Sequence, residues 1–167
     1  MSGKVKVVIG APCSGKSTYI KKVRGPDDVV VDFDALAKAL GSMVSHRSTG
    51  DIREVAFAVR EAAIRRIFQG LKSDAYIIDT SPKQENIALY KNRRVEFVLI
   101  DPGLEVCLER ARERSKGTVE KIMQWYQSPP AVIQEMNLMP ANVDDVMLHS
   151  AQRILERSSV GSPFRFM

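Results

Sequence analysis

Short β-branched runs alternate with helix-compatible segments along this chain, and glycine, proline or aspartate closes most of the runs. Val5 to Ile9 reads Val-Lys-Val-Val-Ile and stops at Gly10, the pattern of a strand buried in a parallel sheet. Ser14 to about Val23 is helix-compatible and ends at Arg24-Gly25-Pro26, where glycine can form the last turn and proline cannot continue it. Asp28 to Asp32 predicts a second strand, Asp34 to Leu40 a short helix stopped by Gly41, and the polar stretch Ser42 to Gly50 a loop. From Asp51 to Gln69 the apolar residues Ile52, Val55, Val59, Ala63 and Ile67 recur at three and four. That spacing predicts a long amphipathic helix with Arg53, Arg60 and Glu61 toward solvent.

Ala75 to Asp79 predicts the third strand, and Ser81-Pro82-Lys83-Gln84 supplies an N-cap, a first-turn proline and an N3 glutamine for the next helix. Val95 to Ile100 is the fourth strand. Asp101-Pro102-Gly103 leads into a helix from about Leu104 to Arg114, Ser115-Lys116-Gly117 interrupts, and a further helix from Thr118 to Gln127 stops at Ser128-Pro129-Pro130. Val143, Val146, Met147, Ser150 and Ile154 mark a last amphipathic helix. Strands alternating with helices imply right-handed crossovers, hence an α/β fold with a parallel sheet and helices on both faces. Ligands then bind at the carboxyl ends of the strands, where Gly10 to Ser17, Asp32, Asp34, Asp79 and Asp101 all fall.

A length of 167 residues suits one domain, residues 1–167. Hydrophobic residues make up 44% and charged residues 27%, a globular balance that excludes disordered, collagen-like and coiled-coil classes. Cys13 and Cys107 lie far apart without a C-x-x-C partner, so no disulfide framework or zinc site is readable and a reducing, cytoplasmic setting is expected. No apolar run approaches the ~20 residues that span a bilayer, and the start runs into a strand and not a signal segment, so neither secretion nor a membrane partner is expected. The formal net charge of +5 and an isoelectric point near 9.3 favour anionic partners such as nucleotides or nucleic acid, although such an excess also serves solubility.

One motif decides the class. Gly10-Ala11-Pro12-Cys13-Ser14-Gly15-Lys16-Ser17-Thr18 matches G-x-x-x-x-G-K-[ST] between a predicted strand and a predicted helix. Its glycines let successive N–H groups wrap a phosphate, and the helix N-terminus adds favourable potential for the anion. Lys16 is expected to reach the outer phosphates of ATP and Ser17 to ligate Mg²⁺. A GTPase would need N-K-x-D and D-x-x-G segments, and neither occurs. A helicase or oligomeric ATPase would carry a strand ending in Asp-Glu, whereas the third strand ends Ile78-Asp79-Thr80. A phosphotransferase with a helical lid over about residues 110–130 remains.

Asp34 is placed to accept a hydroxyl proton, its competing role being the cap of the helix that follows, with Asp32 the second candidate base. Asp79 closes an apolar strand where a Mg²⁺-orienting carboxylate belongs, or else helps cap the next helix. Arg110 and Arg114, four apart, are expected on one helical face as lid cations, or paired with Glu109 and Glu113. His46 and Arg47 sit in a polar loop that could meet substrate. Trp125 and Tyr126 either anchor their helix or stack on a base.

With these residues in place, the chain resembles the kinase domain of phage-type polynucleotide 5′-hydroxyl kinases, within the P-loop kinase superfamily, over roughly Val5 to Gln127. The P-loop form G-x-P-x-S-G-K-S-T is matched by Gly10 to Thr18, the general-base aspartate falls on Asp34, the strand-end Asp-Thr pair on Asp79 and Thr80, and the lid arginines on Arg110 and Arg114. The resemblance implies ATP and Mg²⁺ as cofactors, a nucleic-acid (DNA) acceptor, and phosphoryl transfer to a hydroxyl. Related phage kinases act on the hydroxymethyl group of modified uracil in DNA, so a 5′-hydroxyl end and a hydroxymethylated base both stay open as acceptor. The family's acceptor-phosphate arginine, three residues after the base, is Ala37 here, followed by Lys38, and no D-x-D-G-T phosphatase segment occurs. A small-molecule or nucleoside kinase and a non-catalytic nucleotide switch are the alternatives.

Overall fold

A computed structural model describes residues 3–43 and 49–141. His46, Arg47 and the helix expected around Val143 to Ile154 lie outside the described residues. The strands are β1 (Val5–Ile9), β2 (Val29–Val31), β3 (Ala75–Ile78) and β4 (Glu96–Leu99), all parallel, in the order β2-β3-β1-β4. β1 pairs with β3 from Val5↔Ala75 to Val8↔Ile78 and with β4 from Lys6↔Glu96 to Ile9↔Leu99. The chain leaves β1 through α1 (Lys16–Val23) for the edge strand β2, and β3 later fills the place between them while β4 adds on the other side. This reversal of direction opens a crevice beyond the carboxyl end of β1.

Side chains alternate across the strands, so the sheet builds two cores. On one face Val7, Ile9, Ile77 and Leu99 pack with Ile64 and Ile67 of α3 (Gly50–Phe68), Ile87 and Tyr90 of α4 (Gln84–Asn92), Cys107 of α5 (Leu104–Arg110), Ile122 and Trp125 of α6 (Lys116–Gln127) and Val132 of α7 (Ala131–Glu135). On the other, Val8, Tyr76, Val98 and Ile100 meet Tyr19 and Ile20 of α1. Each fully buried aliphatic side chain contributes about 1.5–3 kcal/mol. The α/β class and the parallel sheet expected from the alternation of elements are present. Among the described residues no helix is long and apolar enough to cross a membrane.

Several boundaries differ from the sequence reading, each for a local reason. α1 starts at Lys16 and not Ser14, because Cys13 (φ 63°) and Gly15 (φ 103°) hold the preceding turn in left-handed backbone. α2 runs Phe33–Ala39, and its N-cap is Asp32, whose side chain accepts from the Asp34 amide. α4 starts only at Gln84 with Lys83 as N-cap and no side-chain cap bond, so Ser81-Pro82 stays outside it. α5 ends at Arg110, a turn covers the residues before Ser115, and α6 begins at Lys116. α7 was not anticipated: Pro130 ends nothing further and serves as its N-cap.

The buried stripe of α3 also differs. Ala56, Ile64 and Ile67 are buried and Ile52, Arg60 and Ala63 half-buried, whereas Val55 and Val59 are exposed. Steps of four from 52 to 56 to 60 and on to 64 keep one face inward, and Val55 and Val59 fall beside it. Arg60 therefore points to the protein and not to solvent, held there by Asp79.

Candidate active site

The loop after β1 is built for close approach. A Cβ on Gly10 would lie 2.2 Å from the Ile100 carbonyl oxygen and 2.7 Å from Ser14 Oγ, so only glycine fits. Gly15, at φ 103°, is the N-cap of α1 and supplies no side-chain cap, leaving the first amides of α1 for another acceptor. Ser14 Oγ is buried without a hydrogen-bond partner. Lys16 is 8% exposed, and its Nζ donates to the carbonyls of Gly10 at 2.9 Å and Ala11 at 2.7 Å. Burial pulls its pKa down to about 8, against the opposing pull of Cys107, Asp32, Cys13 and Asp34. A buried ammonium beside a glycine-rich loop with unpaired amides is chemically suited to a polyphosphate, whose negative charge would favour its protonated form.

Ser17 Oγ donates to Asp32 Oδ2 at 3.0 Å, bringing a hydroxyl and a carboxylate together beside the loop. Among the described residues no group of three or more His, Cys, Asp or Glu gathers to form a self-sufficient metal cage. Hard oxygen donors of this number fit Mg²⁺, which takes one or two protein ligands and completes its shell with water and substrate phosphates.

Asp79 sits elsewhere. Its Oδ2 accepts from Arg60 Nη2 at 3.3 Å and from the Tyr90 hydroxyl at 3.0 Å, with side-chain exposures of 12% for Asp79 and 13% for Arg60. Burial, and next the adjacent Asp79 charge, push the Tyr90 hydroxyl pKa up. Ile78 and Thr80 line the cavity beyond the strand ends and Asp79 does not. Ser17 thus pairs with Asp32, while Arg60 and Tyr90 hold the Asp79 carboxylate.

That cavity, about 1150 Å³, is lined by Lys16, Asp32, Asp34, Arg110 and Arg114 together. Burial raises the Asp34 pKa, opposed by Arg114, then Lys121, then Lys16. The capping duty weighed against catalysis for Asp34 belongs to Asp32. Arg110, the last residue of α5, donates through Nη1 to the carbonyls of Ser14 at 2.9 Å and Cys13 at 3.3 Å. Arg114 lies past the end of α5, so the two arginines do not share a helical face, yet the turn between α5 and α6 brings both to the cavity. Arg112, not these two, pairs with Glu109.

Thr118 and Lys121 of α6 also line the cavity and were not singled out from the sequence. Their spacing of three on a helix just after the lid arginines is the signal that was available. Trp125 anchors its helix: Nε1 donates to the Thr80 carbonyl at 2.9 Å. The Tyr126 hydroxyl donates to Asp101 Oδ1 at 2.6 Å, tying α6 to the segment after β4.

A family model described as an AAA domain matches residues 5–129. No curated protein matches the chain. Among solved structures the chain is similar to shikimate kinase from Acinetobacter baumannii in complex with shikimate, at 13% identity over 93% of this chain and 94% of that one, with a TM-score of 0.55. A gluconokinase from Sinorhizobium meliloti 1021 is 16% identical over 97% and 98% of the two chains, at a TM-score of 0.54. A chain of the Pnkp1/Rnl/Hen1 RNA repair complex is 16% identical over 85% of this chain and 49% of that one, at 0.59. At such identities the likeness concerns the fold, which is the α/β fold of P-loop kinases. The family match takes in every strand, the loop after β1 and helices α1 to α6, and the chain belongs to the AAA domain family.

Proposed function

We propose that the protein is an ATP- and Mg²⁺-dependent kinase that transfers the γ-phosphoryl group to a hydroxyl of a nucleic acid, at a 5′-hydroxyl end or on a hydroxymethylated base. The observation that carries this reading is one cavity lined by a buried lysine, two arginines and a half-buried carboxylate, Lys16, Arg110, Arg114 and Asp34. Phosphoryl transfer asks little covalent chemistry of a protein and depends on positioning and charge neutralisation. The loop from Gly10 to Thr18 and the Lys16 ammonium hold the nucleotide phosphates, and Ser17 with Asp32 would hold Mg²⁺, which would supply charge neutralisation to the phosphates. Asp34 takes the proton from the acceptor hydroxyl as its oxygen attacks phosphorus. Its raised pKa makes it a stronger base than an exposed aspartate, and Arg114 and Lys121 oppose that rise. Arg110 and Arg114 offer guanidinium forks to the transferring group.

The test is label transfer from γ-labelled ATP with Mg²⁺ to 5′-hydroxyl oligonucleotides, hydroxymethyluracil-containing DNA, nucleosides and small polyols. Label on either nucleic acid supports the proposal. Label on nucleosides or polyols alone moves the acceptor to small molecules, and ATP binding without any labelled product overturns the kinase reading.

A further inference from the structure

The cavity wall beside Asp34 is aromatic. Phe33, the residue before Asp34 on α2, packs on Phe57 of α3 with ring centroids 4.5 Å apart and planes tilted by 41°. Arg53, one turn before Phe57 on α3, holds its guanidinium carbon 5.4 Å from the centre of that ring. Phe33, Phe57 and Arg53 line the same cavity as Lys16 and Asp34. Phe57 remains 44% exposed.

The fold does not need this phenylalanine for its core. α3 is already seated by Ala56, Ile64 and Ile67, and Phe57 belongs to neither buried cluster. An exposed ring braced by a half-buried one and flanked by a guanidinium, opening onto a cavity with a half-buried carboxylate, offers three chemistries at once. The ring face accepts a flat π-system, the guanidinium accepts an anion, and the carboxylate accepts a hydroxyl proton. A small polyol would find few partners on such a wall, because a ring face satisfies none of its hydroxyls. A nucleotide unit carries a planar base, a phosphate and a hydroxyl.

The geometry points to Phe33, Phe57 and Arg53 as the wall that reads the acceptor, stacking a base of a nucleic-acid strand on Phe57 and holding a neighbouring phosphate on Arg53. This inference rests on the kinase reading and adds the residues that select its acceptor class. Ala37 on α2 is buried and neutral and offers no cation to an acceptor phosphate, whereas Arg53 on α3 lines the cavity. Phe33 braces the Phe57 ring, and because it adjoins Asp34 it couples base stacking to the position of the base that takes the proton.

The experiment titrates the full-length protein into a 5′-hydroxyl oligonucleotide with 2-aminopurine as its first base, following fluorescence. ATP affinity and the melting temperature of each variant serve as controls for folding. Wild type is expected to quench the probe on binding. Phe57→Ala is expected to weaken oligonucleotide binding roughly 5–100-fold and to lose the quench while ATP affinity holds. Phe57→Leu, which keeps bulk but no ring, should restore the melting temperature and not the quench. Arg53→Gln should lower the dependence of log affinity on log salt by about one phosphate contact. Unchanged oligonucleotide affinity and quench in a folded Phe57→Ala protein overturns the wall. Transfer of label to the 5′-hydroxyl oligonucleotide at wild-type rate and KM by that variant also overturns it, while leaving the kinase reading intact. Phe57-dependent oligonucleotide binding without label transfer to any acceptor supports the wall and overturns the kinase reading instead.

Discussion

Two aspartates lie near the carboxyl ends of strands in this protein, Asp34 in α2 just past β2 and Asp79 at the end of β3, and their surroundings differ. Past the end of β2, Asp34 enters the cavity facing Arg114, Lys121 and Lys16, cations that surround the space a substrate would fill. At the end of β3, Asp79 faces Arg60 and Tyr90, which take up its carboxylate within the protein. Two aspartates near strand ends thus meet different surroundings, a cavity lined by cations for Asp34 and an arginine and a tyrosine within the protein for Asp79. What separates them is the chemistry of partners contributed by distant elements, α3 and α4 for Asp79, the lid and phosphate loop for Asp34.

The contrast can be broken at several points. The largest effect is expected at Asp34: Asp34→Asn should lower kcat by about 10²–10⁴-fold with ATP affinity nearly intact, measured by steady-state transfer alongside calorimetric ATP binding. Asp32→Asn should act on the metal. It keeps a side chain that can cap α2 and weakens the oxygen pair with Ser17, so the Mg²⁺ concentration for half-maximal rate should rise about tenfold.

Asp79→Asn should instead act on stability. It leaves the largely buried Arg60 guanidinium without its counter-charge, at a cost of about 2 kcal/mol, read as a lower melting temperature with kcat changed only a few-fold. Arg60→Met combined with Asp79→Asn should cost less than the sum of the single changes, since the two groups share one interaction.

The smallest effect is a shift in pH dependence. Asp34 works as a base only when ionised, so transfer falls as pH drops through its pKa, which burial has raised above the ordinary aspartate value of 3.8. Arg114 opposes that rise. Arg114→Gln should therefore move the acid limb of the pH–rate profile to higher pH as well as slow transfer.

The sequence carried the architecture because it is written in local patterns. Five-residue β-branched runs and an intervening P-loop specify parallel crossovers, and Gly10, Lys16 and Ser17 declare themselves by spacing. Strand order was not legible, since β3 inserts between β1 and β2 through contacts far apart in sequence. The lid was legible as a pair of arginines but not as geometry: α5 ends at Arg110, and Arg114 reaches the cavity from a turn that periodicity does not report. Arg60 was missed for a related reason. Its charge suggested solvent, whereas the pairing with Asp79, nineteen residues on, holds it inward. The Ser17–Asp32 bond and the Phe33–Phe57 contact join neighbouring elements in space, and neither has a signature in spacing.

The most direct measurement is the single-turnover rate of label transfer from γ-labelled ATP to a 5′-hydroxyl oligonucleotide, taken side by side for wild type, Asp34→Asn and Asp79→Asn below the melting transition of each. The account expects Asp34→Asn to be slower by about 10²–10⁴-fold and Asp79→Asn to stay within a few-fold of wild type. The reverse order, with Asp79→Asn crippled and Asp34→Asn near wild type, would contradict it.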